Sequence, residues 1–318
     1  MSYIETRSKV QHICKRVLKL MGNRFEFSVV TEDKHWAEER IDAAVIEIKR
    51  IEQLLTTFSD SSQTNEINRF AGIRPVQVDR EVFDLISRSL KISTLTQGAF
   101  DITYGSIDKT LWNFDLNMTT LPSPEIASQS VRLINYRNVL LDQDNCTVFL
   151  REKGMRIGFG GIGKGYAADK AKFLMQSQGV KSGIVNAAGD LVTWGTQPEG
   201  KPWTIAIADP DQKTVPFSTL DISNMAIATS GNYEKYIVIN GKKYSHTIDP
   251  VNGLPVSGIK SVSIVCPSAE LADAMATPVM VMGVKVGLDL INQLKQMACV
   301  IIDDNNRIYF SQNINIKN

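Results

Sequence analysis

Asp273 and Thr277 stand four residues apart in a run, 269–283, whose spacing predicts a helix. That interval puts a carboxylate and a hydroxyl on one helix face. Both are hard oxygen donors, the kind Mg²⁺ takes while keeping positions for water and a substrate phosphate. Taken alone, the pair fits ordinary helix chemistry better. An Asp near a helix start meets the positive end of the dipole, and a Thr can bond back to a carbonyl.

A second group is the glycine-rich run RIGFGGIGKGYAAD at 156–169. Gly158, Gly160 and Gly163 match G-x-G-x-x-G, and Gly158, Gly163 and Lys164 match the first part of a P-loop. Neither pattern completes. The P-loop needs Ser or Thr where Gly165 stands, and the acid a dinucleotide site would use, Asp190, lies among hairpin-like strands rather than in a βαβ unit. The physics common to both patterns survives. Glycines before a helix let backbone N–H groups approach a phosphate, the helix N-terminus favours negative charge, and Lys164 adds a point charge. A tight turn whose glycines only satisfy backbone geometry is an equal alternative.

The third candidate is His246, the one histidine beyond the N-terminal region, since the others are His12 and His35. An imidazole is suited to take a proton from a Thr or Ser hydroxyl. Bridging a strand and a turn is the structural alternative. Asp249 could orient His246 or cap the Asp249-Pro250 turn, and capping is the commoner use. Tyr233, Trp112 and Phe114 are candidates for stacking on a ring or for anchoring the core.

The elements that must position these residues follow from periodicity. A strand is expected at 24–31. A helix is expected at 36–57, with Ile41, Ala44, Val45, Ile48, Ile51 and Leu55 on its buried stripe, and another at about 80–96 with Val82, Leu85, Ile86, Leu90 and Ile92. Residues 58–72 and 107–128 read as loops. A hairpin is expected around 142–145, a helix at 165–178 ending at Gly179, and short strands near 182–186, 190–194 and 203–208. Asn240-Gly241 marks a hairpin of 236–240 with 242–248. Strand 261–265, helices at 269–283 and 284–297, and strands at 298–302 and 307–311 complete the chain. Hairpins mixed with helices indicate an α+β fold rather than regular βαβ winding.

Composition bounds the partners. The chain has 318 residues, 43% of them hydrophobic, enough for a large core in one big domain or two intimate ones. Its 35 basic and 34 acidic residues leave a net charge of +1, which argues against nucleic acid as a partner. Four cysteines without paired spacing and three histidines argue against a disulfide framework or a His/Cys metal site, so any metal should be oxygen-ligated. The N-terminus is broken by charges and lacks a signal-peptide apolar run, and no lipoprotein cysteine stands near the start. No stretch reads as approaching the ~18 apolar residues of a membrane span. The expectation is a cytoplasmic chain, although an exported form trimmed of its leader would read the same way.

Six blocks occur in order: GAFDIT at 98–103, GGIGKGYAAD at 160–169, NAAGD at 186–190, ATSGNY at 228–233, YSHTIDPVNGLPV at 244–256 and ADAMATPVMVMG at 272–283. Together they resemble the ApbE family of FAD:protein FMN transferases, from about Met21 to about residue 300. The resemblance implies an α+β, T-fold-like, two-lobed architecture of mixed and antiparallel sheets with packed helices and a cleft for FAD. It places a single domain at 21–318 after an N-terminal extension, 1–20. By resemblance, Met21, Phe58, Ala99, Phe100, Asp101, Lys164 and Ile248 match FAD-contacting positions. Gly161, Asp273 and Thr277 match metal-binding positions, and His246, Asp273 and Lys164 are the implied catalytic group. Three departures stand out: Gly158 replaces an Asp that touches FAD, Ala188 replaces a glycine, and Ala276 replaces an acidic metal ligand found in some members.

The activity so implied is Mg²⁺-dependent transfer of the FMN moiety of FAD to a Thr or Ser hydroxyl of an acceptor flavoprotein, releasing AMP. Mg²⁺ is the implied cofactor, FAD the substrate, and the acceptor carries a short Thr/Ser flavinylation motif. No nucleic-acid partner and no membrane span are implied. Alternatives are an FAD pyrophosphatase giving FMN and AMP, a non-catalytic FAD-binding protein, which Gly158 and Ala276 favour, and, more remotely, a nicotinamide dehydrogenase built on the glycine loop.

Overall fold

The computed structural model describes residues 11–108, 110, 120–208, 216–231 and 236–313. Trp112, Phe114 and Tyr233 lie outside the described residues. The described chain opens with a hairpin, β1 (His12–Leu20) and β2 (Asn23–Thr31), joined through Met21 and Gly22, both at positive φ (50° and 73°). Helix α1 (Lys34–Leu55), the short α2 (Gln63–Arg69), a two-residue β3 (Val76–Gln77) and α3 (Arg80–Leu95) follow. A 3-10 turn at Ile102–Ser106 and the short α4 (Pro124–Ser130) lead to β4 (Val139–Asp142) and β5 (Thr147–Leu150). Then come α5 (Gly163–Ser177), β6 (Gly183–Ala187), β7 (Asp190–Trp194), β8 (Trp203–Ala208), β9 (Pro216–Ile222) and β10 (Ala226–Gly231). The chain continues with β11 (Tyr236–Ile239), β12 (Lys242–Ser245), β13 (Ile259–Cys266), α6 (Ala269–Gln293), β14 (Ala298–Asp303) and β15 (Ile308–Phe310).

The frame is an eight-stranded sheet of order β1-β2-β6-β7-β10-β13-β14-β15 in which every neighbouring pair is antiparallel. Helices α1, α5 and α6 pack on it, and the main core lies between these layers. The two-stranded β8–β9 sheet brings Trp203, Ile205, Ile207, Leu220 and Ile222 onto a second apolar cluster with Leu191, Ile227, Val265 and Val300 of the frame. The α+β reading with antiparallel sheets holds. The stripe expected on α1 is buried throughout, from Ile41 to Leu55. Each such aliphatic side chain contributes about 1.5–3 kcal/mol by leaving water, so the face that packs on the sheet fixes the helix.

Four segments differ from expectation. Residues 12–20, set outside the domain by sequence, form the edge strand β1, paired along its whole length with β2. Arg16 on the inward row and Val17 on the outward row break its alternation, while Cys14 and Leu20 are buried and Arg16 reaches Glu38 and Asp42 of α1. The loop at 58–72 contains α2, which Ser62 caps by accepting from the Asn65 amide. The loop at 107–128 gives way to α4 near its end, with Ser123 as cap and Pro124 at the first helical position. Finally, α6 spans 25 residues and holds an 18-residue stretch with a mean hydropathy of 1.5, long and apolar enough by composition to cross a membrane. It is instead a packed helix against α5, β10 and β13, with Asp273 buried in it. Gly283 (φ 81°, ψ 170°) breaks it where the sequence reading separates two helices.

Candidate functional site

The site is built where α5 starts and α6 passes beside it. Helix α5 has no side-chain cap of its own, because Ile162 holds the N-cap position. Its first turn is closed by Asp273 instead: the Gly165 amide donates to Asp273 Oδ2 at 3.0 Å, and the Lys164 amide also bonds this carboxylate. Such closeness requires glycine. A Cβ on Gly165 would lie 2.1 Å from the Ala269 carbonyl oxygen and 2.9 Å from Asp273 Cβ. One turn further along α5, Asp169 accepts from the Ser268 hydroxyl and from the Ala269 and Glu270 amides, at 2.8, 3.0 and 3.0 Å. The two helices thus cap each other, and the register that presents Asp273 to α5 is fixed from both sides.

Lys164 lies between two carboxylates. Its Nζ bonds Asp190 Oδ2 and stands 3.5 Å from Asp273 Oδ1. Asp190 and Asp273 are 5% and 6% exposed. Asp190 is delivered by the β6–β7 hairpin, whose two-residue turn is Ala188-Gly189, and it also accepts from the backbone of Thr229. Burial works against the ammonium of Lys164, yet the charges of Asp273 and Asp190 outweigh it and hold the pKa above the ordinary lysine value. Burial pushes the Asp273 carboxyl up despite Lys164. Burial, and then the charge of Asp273, push Asp190 up to about 7. Fully ionised, the group holds two negative charges against one positive.

Thr277 faces the sheet rather than α5: its Oγ1 is 2.8 Å from Ser230 Oγ on β10. Gly161 sits four residues before Gly165, and among the described residues no hydrogen bond uses its amide or carbonyl. A Cβ built on Gly161 would meet Phe100 Cε2 at 3.6 Å, and one on Gly163 would meet Met21 Cε at 3.8 Å. Gly158 lies beside Thr57, the neighbour of Phe58, and its amide donates to the Ile102 carbonyl at 3.0 Å. The structure therefore gathers Met21, Thr57, Phe100, Gly161, Lys164 and Asp273 around the glycine turn, with Thr277 one helical turn beyond Asp273 and bonded to β10. Phe58 itself is 99% exposed, an aromatic ring with no cover from the protein. Ala99 is half-buried beside Phe100.

Two expected residues are engaged elsewhere in the protein. Asp101 caps the 3-10 turn, accepting from the Thr103 amide and hydroxyl through Oδ1 and from the Tyr136 amide through Oδ2. Burial raises its pKa. Ile248 is buried, and its amide donates to the Tyr104 hydroxyl at 3.1 Å. That bond ties the 246–249 segment to the 98–106 segment, which in turn touches the glycine turn through Ile102. His246 is exposed at the end of β12. Asp249 spends its carboxylate on its own turn, on the Val251 amide and the Asn252 side chain.

Two residues of the group were not assigned to it by sequence. Asp190 drew notice only as the acid a dinucleotide site would use, and Ser230 only as part of the ATSGNY block. The available signal was that both sit inside motif blocks, NAAGD and ATSGNY. No group of three His, Cys, Asp or Glu side chains able to hold a metal occurs among the described residues. The oxygen set here is mixed: two carboxylates, two hydroxyls and the unbonded carbonyl of Gly161. Cavities of about 540 Å³ beneath the β11–β12 hairpin and about 370 Å³ between the frame and β8 are lined by other residues.

The ApbE family model matches residues 21–301. The chain belongs to the ApbE family. An FAD:protein FMN transferase of Klebsiella pneumoniae (strain 342) is 31% identical over 295 residues, covering 92% of this chain and 90% of that protein. One from Escherichia coli (strain K12) is 30% identical over 271 residues, covering 83% and 77%. Among solved structures, the ApbE protein of Thermotoga maritima superposes with a TM-score of 0.83 at 29% identity, covering 95% of this chain and 97% of that one. The flavin transferase ApbE of Vibrio cholerae gives 0.80 at 25% identity, covering 95% and 98%. Of the departures from the ApbE pattern, Gly158 leaves ordinary space, with Thr57 Cγ2 3.9 Å from a built Cβ. Ala188 sits at φ 56°, where a glycine would be at ease. Ala276 is buried.

Proposed function

We propose that this protein is an Mg²⁺-dependent FAD:protein FMN transferase, which moves the FMN moiety of FAD onto a Thr or Ser hydroxyl of an acceptor flavoprotein and releases AMP. The observation that carries the reading is the junction of α5 and α6. There a glycine turn with unbonded backbone groups, an ammonium and two buried carboxylates share one small volume. Few other tasks need so much charge in the core beside an open glycine turn. The named activities of the relatives point the same way.

The donor set fits Mg²⁺. Asp273, Thr277 and the Gly161 carbonyl are hard oxygens, and nothing soft stands among them. Bound there, the cation neutralises pyrophosphate charge and polarises the phosphorus. The chain's own residues do the rest. Lys164 supplies positive charge to a phosphate oxygen, and the Gly160 and Gly161 amides face the same charge. Met21 and Phe100 flank the glycine turn and Phe58 offers an uncovered ring, which supports a role for these three side chains in holding the flavin half, with Ala99, Asp101 and Ile248 shaping its surroundings. The acceptor oxygen forms a bond to the FMN phosphorus while the bond to AMP breaks, and the hydroxyl proton passes to His246.

Because His246 is exposed, water could take the acceptor's place, and the second reading is an FAD pyrophosphatase. One incubation separates the readings. The protein, FAD, Mg²⁺ and a candidate acceptor domain are combined, and AMP and acceptor mass are measured. AMP with a matching mass gain supports transfer, AMP with free FMN supports hydrolysis, and bound FAD without AMP removes both. Asp273→Ala should abolish metal-dependent turnover, and full retained activity would take Asp273 out of the site.

A further inference from the structure

We propose that Asp190 is a second carboxylate of the cation site, and that Lys164 occupies the cation's position until a divalent ion displaces it towards the substrate diphosphate. This rests on the preceding reading of the site and concerns residues that the resemblance leaves without that role. Three observations carry it. First, Lys164 Nζ sits between Asp190 Oδ2 and Asp273 Oδ1, so a single positive group is shared by two buried carboxylates on different elements. An ammonium held this way marks where a small cation is electrostatically at home. Second, Asp273 uses Oδ2 on the Gly165 amide, which leaves Oδ1, the oxygen facing Lys164, to meet a cation. Third, Ala276 offers no carboxylate, and Asp190 is the other buried acid within reach of the Asp273–Lys164 pair.

Charge decides the exchange. With Lys164 in place the group carries a net charge of −1 when both acids are ionised. A divalent ion in its place brings the two carboxylates to neutrality, and two cations in one such space would repel strongly. The displaced ammonium needs a new anion, and a diphosphate beside the glycine turn is one. Lys164 is 25% exposed along its side chain, so it has a solvent-facing path out of the pair, whereas the two acids do not. Ordered binding follows: the cation first opens the site, and Lys164 then meets the phosphate. Asp190 acts as a ligand in this scheme, and Lys164 as an internal competitor of the metal.

The test is equilibrium binding of Mn²⁺ alone, without FAD, read from the electron paramagnetic resonance signal of the free ion. Lys164→Met should bind Mn²⁺ at least tenfold more tightly than the unmodified protein, and Asp190→Asn at least tenfold more weakly. Equal or weaker binding by Lys164→Met, or unchanged binding by Asp190→Asn, overturns the inference. A measurement on the unaltered protein guards against misfolded variants. Acylation of Lys164 by an amine-reactive reagent, followed by mass spectrometry, should be faster with Mg²⁺ than without, and an unchanged or slower rate overturns the exchange. If Asp273→Ala loses Mn²⁺ binding while Asp190→Asn keeps it, only this inference falls. If the unmodified protein binds no Mn²⁺ with or without FAD, the metal-dependent reading falls with it.

Discussion

The α5–α6 junction and the β11–β12 hairpin with its following turn are built to opposite specifications. At the junction, Asp190 and Asp273 are nearly inaccessible, two helices cap each other, and a backbone carbonyl passes where a methyl group cannot fit. The hairpin forms a two-stranded sheet of its own, with Val238 55% exposed and Val251, in the turn beyond it, 68% exposed. His246 lies on this outer part. Groups that handle phosphate charge gain from low dielectric and fixed geometry, so they belong in the core. A group that must meet another protein's hydroxyl has to be reachable. The difference therefore divides the proposed reaction into a fixed half and an accessible half.

The sharpest way to break that division is Gly165→Ala. The added methyl would sit 2.1 Å from the Ala269 oxygen, so α5 and α6 must separate where Asp273 bonds the Gly165 amide. A loss of about 3 kcal/mol or more is expected, at the upper end of overpacking costs. Denaturant unfolding measures it, and Mn²⁺ binding should collapse with it. A variant of normal stability would show that the junction is compliant and that its rigidity is not what holds the site.

His246→Ala probes the other half. Melting temperature should stay close to that of the parent, since the side chain is exposed. Transfer should slow by about 10²–10⁴, the usual worth of a general base, while FAD affinity changes little. A variant that loses FAD binding but transfers normally at saturation would place His246 with the fixed half.

Phe58→Ala should be milder and of the opposite kind. With the ring 99% exposed, folding stability should not fall. If the ring covers flavin, FAD affinity should weaken severalfold, about 1 kcal/mol for a partly buried aromatic contact. Isothermal titration reads the affinity and thermal unfolding the stability, and unchanged affinity would leave the exposed ring without a role in FAD binding.

What the sequence revealed follows the same division. Helix α1 was legible because burial on one face writes a stripe into the chain, and the hairpin at Asn240-Gly241 because Asn240 and Gly241 both hold positive φ there. Lys164, Asp273 and Thr277 were legible through their motif blocks. The meeting of Lys164 with Asp190 and of Gly165 with Asp273 was not, since the partners are 26 and 108 residues apart and only the packing of α5 beside α6 on the sheet joins them. β1 was hidden by Arg16 on its inward row and Val17 on its outward row, and α2 by its brevity and polarity. Asp101 was legible through its motif block, whereas the bonds its carboxylate accepts from Thr103 and Tyr136 were not.

The smallest effect lies at the hinge between core and surface, the turn that carries Asp190 into the junction. Ala188 holds φ 56° in the two-residue β6–β7 turn and is followed by Gly189 at φ 102°. The left-handed region costs an alanine roughly 1–2 kcal/mol. Glycine removes that strain but returns about 0.4–1 kcal/mol through its freer unfolded chain. Ala188 is exposed, so losing its methyl forfeits little packing. Ala188→Gly should therefore stabilise the protein by about 0.5–1 kcal/mol and raise the melting temperature by about 2 °C, seen by calorimetry. Mn²⁺ affinity should hold, because the turn's own bonds, from the Ala188 amide to the Arg24 carbonyl and from the Gly189 amide to Asn186 Oδ1, are kept. A drop in Mn²⁺ affinity with stability unchanged would mean that the strained alanine helps to fix Asp190, and that the rigid half of the molecule extends to its surface at this turn.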